Sequence, residues 1–151
     1  MLFKDSVIKT TLWFLVILDL FLAAICLFAP ERWVYLVHGV TDWADPLGTT
    51  RRQGAVWLAF LVFQGIAVFR YKAAPEWLAL VAGVRLTEVF SDYVYWWFAS
   101  DLTWFGHAAL WVSSPSNLIL GWYLFGFLIT FSFVSWLIMP FPVYMLFSIM
   151  Q

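Results

Sequence analysis

One of four long apolar stretches in this chain, Pro75 to Ala99, carries Arg85, Glu88 and Asp92. These three residues constrain the fold more than anything else in the sequence. Their spacings of three, four and seven put them on one helical face. Near the centre of a membrane span each would cost about 2.5 to 3.5 kcal/mol, so the face must turn inward, toward groups that match it.

A chain of 151 residues that is 64% hydrophobic, 22% aromatic and only 11% charged does not read as a water-soluble domain. The sequence predicts an integral membrane protein. A formal net charge of -1 without a Lys/Arg cluster argues against nucleic acid as a partner. Cys26 is the only cysteine, which excludes disulfides, Cys-based zinc sites and thiol redox pairs within one chain. It reads as a packing thiol.

Hydropathy places four spans, at about residues 11–29, 54–69, 75–99 and 118–139, as an antiparallel four-transmembrane-helix bundle forming a single domain. The first stops at Pro30, and Asp19 inside it argues for a retained helix rather than a signal peptide. The second is bracketed by Arg51 and Arg52 at one end and Arg70 and Lys72 at the other, cations that should snorkel to the two interfaces. The fourth contains no Asp, Glu, Lys, Arg or His. Residues 140–151 are uncharged and are expected to lie in the interface or on another subunit.

The turn from Arg70 to Ala74 is short and predicts a hairpin of the second and third helices. The longer connections, Pro30 to Gln53 and Ser100 to Asn117, fall on the other side, with Trp33, Tyr35, Trp43, Trp104 and Trp111 as interfacial anchors and short half-buried helices expected in both. Lys4, Lys9, Arg70 and Lys72 on the N-terminal side outnumber Arg32, Arg51 and Arg52 opposite. The balance predicts both termini in the cytoplasm.

At about 1.5 Å per residue, Asp19 and Arg85 fall at one depth, which predicts an ion pair between the first and third helices. Glu88 and Asp92 climb toward Arg51 and Arg52, a second expected pairing. Asp19, Glu88 and Asp92 against Arg51, Arg52 and Arg85 would make the seam neutral. Gln64 adds an amide, and Thr87 and Ser91 either join the network or bond back to their own helix. A structural seam requires paired acids with no open cavity beside them, aided by close packing at Ala79 and Gly83. A functional seam would use Glu88, Asp92 and Asp19 for proton transfer to a hydrophobic substrate or to bind a quinone-like head group. His38 and His107, both in the longer connections, are weak candidates for a metal, haem or pigment, and no metal site is assigned. Tyr93, Tyr95, Trp96, Trp97 and Phe98 read as a belt anchor.

The run Leu27-Phe28-Ala29-Pro30-Glu31-Arg32-Trp33, Gly39, and Arg52-Gln53-Gly54-Ala55, followed by a polar third helix from Val84-Arg85-Leu86-Thr87-Glu88 through Asp92, resembles the small DoxX-like four-helix membrane proteins over residues 11–139. The resemblance implies a compact four-helix bundle, with some relatives associated with quinone-linked redox complexes. The thiol chemistry of some such systems has no counterpart here.

The expected role is a non-catalytic accessory or stabilising subunit of a larger membrane complex, touching a lipophilic cofactor such as a quinone or pigment, or a lipid. Its partners would be the bilayer and other membrane subunits or a second copy. The alternative is a small intramembrane enzyme or binding protein that works by carboxyl proton transfer.

Overall fold

The computed structural model describes residues 2–42, 45 and 48–138, without the side chains of 2–4 and 131–138. Among the described residues it is entirely helical: α1 (Leu2–Phe28), α2 (Pro30–His38), α3 (Thr49–Arg70), α4 (Glu76–Phe98) and α5 (Trp104–Ile138). The expectations for residues 140–151 and for the Trp43 anchor fall outside the described residues.

Three helices, α1, α3 and α5, are long and apolar enough to cross a membrane. α4 does not meet the same measure, because Glu76, Arg85, Glu88 and Asp92 all lie within its 23 residues.

α1 begins well before residue 11 and α3 at Thr49 rather than Gly54. Hydropathy marks where a helix enters an apolar medium, not where it starts. The early turn of α1 is held by Asp5, which accepts from the Tyr71 hydroxyl and pairs with Lys72 Nζ at 2.6 Å. Burial, with that hydrogen bond and the charge of Asp5, pushes the Tyr71 phenol up to about 12.

α2 is the short helix expected after the first span. It opens with Pro30, whose missing N–H costs nothing in a first turn. It closes on Gly39 in the left-handed conformation (φ 71°), whose N–H bonds to the Tyr35 carbonyl.

The expected loop over Ser100–Asn117 is the clearest correction. α5 starts at Trp104 and runs unbroken through Pro115. Thr103 begins it: its hydroxyl accepts the Gly106 N–H at 3.0 Å and donates back to the Leu36 carbonyl of α2. A Cβ on Gly106 would stand 2.6 Å from the Val37 carbonyl, so glycine is what lets α5 start against α2. Pro115 deprives the carbonyl four residues earlier of its N–H partner, a loss that helices in apolar surroundings tolerate.

The helices pair antiparallel in sequence neighbours. Asp5 of α1 meets Tyr71 just after α3, Asp19 meets Gln64, and Ala23, Cys26 and Leu27 meet Gly54. α4 and α5 pair through Ala82 and Leu86 against Gly121, and Asp92 against Ser113 and Ser114. The apolar core lies at the end of the bundle holding the α3–α4 turn, where Ile8, Leu12, Leu15, Ala67, Val68, Tyr71, Leu78, Val81, Ala82 and Leu124 are buried together. Directly above it sit the buried polar groups Asp19, Gln64, Arg85 and Asn117. Cys26 is buried near Gly54. Outward faces carry large apolar residues such as Phe21, Phe69, Phe90 and Ile119.

Candidate polar seam and aromatic groove

Arg85 is the centre of the seam and is 1% exposed. Its Nη2 donates to Asp19 Oδ2 of α1, forming the expected ion pair. Nη1 donates to Glu88 Oε2 at 2.6 Å, one turn along α4, and reaches Asn117 Oδ1 of α5 at 3.5 Å. Gln64 Nε2 of α3 donates to the same Asp19 Oδ2 at 2.6 Å, and the Trp57 side chain of α3 approaches Glu88. All four long helices thus meet within hydrogen-bonding reach of one guanidinium and its carboxylate. Three buried atoms, Asp19 Oδ1, Gln64 Oε1 and Arg85 Nε, have no hydrogen-bond partner among the described residues.

The expected second pairing is not formed. Arg51 and Arg52 are exposed, and Arg51 Nη1 faces Asp45 Oδ2 at 3.5 Å instead of either acid of α4. The reason is local: Asp45 lies just before α3, where it accepts from the Thr49 hydroxyl at 3.1 Å and from the backbone N–H groups of Thr50 and Arg51 at 3.4 and 3.2 Å. The cap draws the cation to itself. One consequence is that the seam is not the balanced set expected from six residues, because one cation, Arg85, serves both Asp19 and Glu88.

Asp92 stands apart from this cluster. Its Oδ2 accepts from Ser113 Oγ at 2.8 Å and Ser114 Oγ at 2.9 Å, both on α5. No cation among the described residues lies within ion-pair distance of it. Contrary to the expectation of closed surroundings, a groove of about 200 Å³ opens beside it, lined by Asp92, Tyr93, Trp96, Leu110, Trp111, Ser114 and Pro115. The rings of Trp96 and Trp111 meet edge to face, 6.4 Å apart and inclined at 71°.

Thr87 and Ser91 bond back to the carbonyls of Gly83 and Glu88 and take no part in the seam. The close packing expected at Gly83 is not formed among the described residues: Gly83 is exposed and a Cβ there would meet no described atom within 4 Å. The close approaches are made at Gly54 and Gly121. His38 accepts or donates through Nε2 to the Tyr95 hydroxyl at 2.5 Å, while His107 is exposed at the start of α5. No group of three or more His, Cys, Asp or Glu able to hold a metal occurs among the described residues.

Sequence reasoning missed Asn117, Ser113 and Ser114. Their spacing of three and four residues is a helical polar face, but hydropathy starts the fourth span at Leu118 and leaves them in the connection before it. Comparison with protein-family models, curated proteins and solved structures finds no match, so the likeness to DoxX-like proteins rests on the short motifs quoted above.

Proposed function

We propose that the protein crosses the membrane four times as an antiparallel bundle, both termini cytoplasmic, and serves as a non-catalytic accessory or stabilising subunit of a larger membrane complex. The observation that carries this reading is the Arg85 cluster, in which a buried guanidinium and Asp19 tie α1, α3, α4 and α5 in one register. Asp19 and Glu88 are paired as a structural seam requires, and Asp92, beside its groove, is the acid that departs from that requirement.

The inclusion of α4 as a span follows from its partners. Its 23 residues extend about 35 Å, enough for a hydrocarbon core of about 30 Å. If α3 crosses, the short turn at residues 71–75 sends α4 back. Arg85 and Glu88 are paired with each other and with Asp19 inside the bundle, and Asp92 accepts from α5, so α4 need not turn those groups to lipid. The many exposed aromatic and aliphatic side chains supply surface for lipid, for other subunits or a second copy, and for a quinone or pigment.

Extraction in mild detergent followed by identification of stoichiometric co-purifying subunits tests the proposal. A monodisperse single-chain species, recovered from native membranes with full activity of its own, would overturn it. The second reading, an intramembrane binding protein or enzyme acting on a hydrophobic substrate, draws on one observation, the groove open beside Asp92.

A further inference from the structure

We infer that the groove beside Asp92 holds the quaternary ammonium head group of a choline lipid, with Asp92 as counter-ion and Tyr93, Trp96 and Trp111 as aromatic walls. The inference goes beyond the subunit role and rests on the four-span reading, because a head-group layer beside the C-terminal end of α4 requires α4 to cross.

Charge selects a cation. Both hydroxyl donors to Asp92 fall on Oδ2, which leaves Oδ1 without a donor among the described residues, and no described cation pairs with the carboxylate. Arg85 lies two turns away along α4, about 10 Å, and is already committed to Asp19 and Glu88.

The walls select the kind of cation. A metal ion would need several oxygen or nitrogen ligands, and a primary ammonium is held by up to three acceptors. Besides the Asp92 carboxylate, the side chains lining the groove bring two oxygen acceptors, the Ser114 hydroxyl and the Tyr93 phenol, against the larger ring and aliphatic surface of Trp96, Trp111, Leu110 and Pro115. A quaternary ammonium has no N–H to satisfy and is drawn to the faces of Trp and Tyr rings. Leu110 and Pro115 provide apolar contact for its methyl groups.

Size and position select a lipid. The groove, at about 200 Å³, is smaller than the roughly 300 Å³ lower bound for pockets that enclose a whole small molecule. It takes a head group and leaves the rest of the ligand outside. It lies near the C-terminal end of α4, beside the exposed Trp97 and Phe98, where a membrane-spanning bundle meets the head-group layer.

The test is calorimetric titration of the purified full chain in maltoside micelles with decanoylcholine, its uncharged 3,3-dimethylbutyl isostere and free choline. Saturable binding of decanoylcholine is expected, with the isostere and free choline each at least about tenfold weaker. Asp92→Asn keeps an oxygen acceptor for the two serines, and Trp111→Leu alters a side chain that is 70% exposed, so both should fold. Each should weaken decanoylcholine binding by about tenfold while leaving the unfolding transition near that of the parent. Equal binding of the isostere, or unchanged binding by both folded variants, would overturn the site. Free choline binding as tightly as decanoylcholine would overturn the lipid assignment.

Discussion

Arg85 of α4 donates to Asp19 of α1 with both side chains sealed inside the bundle, so each is the other's compensation for leaving a polar medium. Asp19→Ala strands the guanidinium beside Glu88 alone and should cost about 3 to 5 kcal/mol. Replacing both, as Asp19→Leu with Arg85→Met in a Glu88→Gln background, removes the guanidinium together with both of its acids and should cost less than Asp19→Ala in the same background. Reversible unfolding of the purified chain in mixed micelles measures both. A double variant as unstable as Asp19→Ala in that background would show that the pair is not the source of the loss.

Glu88 occupies the other arm of the guanidinium, and Glu88→Gln keeps an acceptor for Arg85 Nη1 while deleting the charge. Under the subunit reading the variant should lose about 1 to 2 kcal/mol of stability, or assemble less well, with no separate loss of activity. A folded, fully assembled Glu88→Gln protein that fails in the activity of its complex would favour proton transfer by this carboxyl.

Much of the seam was legible because depth and helical period are linear in sequence: Asp19 and Arg85 could be matched by counting turns. What counting could not supply was competition. Arg51 sits at the correct end of α3 to reach Glu88, yet Asp45 lies closer along the chain and captures it. The polar face of α5 was hidden for a different reason. Hydropathy starts the fourth span at Leu118, and only the Thr103 cap docked on α2 shows that the helix begins at Trp104. The small-residue contacts were misplaced because Gly83 and Gly54 look alike in sequence, while only the partner helix decides which is approached.

That difference between glycines gives a direct contrast. A Cβ at Gly54 would stand 2.9 Å from Leu27 Cγ, 3.0 Å from Cys26 Cβ and 3.1 Å from the Ala23 carbonyl, whereas none is close at Gly83. Gly54→Val should push α1 from α3 and destabilise by about 1 to 3 kcal/mol. Gly83→Ala should be neutral or stabilise by up to about 1 kcal/mol through helix propensity. The same unfolding assay decides, and equal effects at the two positions would contradict the packing.

The orientation proposed above predicts that a cysteine introduced at Lys72 in a Cys26→Ala background is labelled from the cytoplasmic side, and one at Arg32 from the outside. Both native residues are exposed; Lys72→Cys gives up the pairing with Asp5, which still accepts from the Tyr71 hydroxyl. Reversed labelling would invert the topology without touching the helix contacts.

The start of α3 provides a pH-dependent device. Gly48 occupies the N-cap in the left-handed conformation (φ 62°) and has no side chain to offer the free N–H groups, so Asp45 supplies the acceptor. Burial opposes ionisation of Asp45, but the hydrogen bonds from Arg51, Thr49 and Thr50 outweigh it and hold the carboxyl below its ordinary value of 3.8. A depressed carboxyl contributes stability that is present above the unfolded value and disappears as pH falls through the folded one. The melting temperature of the parent should therefore exceed that of Asp45→Asn at pH 6, and the difference should shrink as the pH is lowered past 3.8. Asparagine still accepts from the first turn but carries no charge toward the positive end of the helix dipole, so its own profile should lack this component. A gap between the two proteins that stays constant from pH 6 to well below 3.8 would mean that the charge of Asp45 plays no part in starting α3.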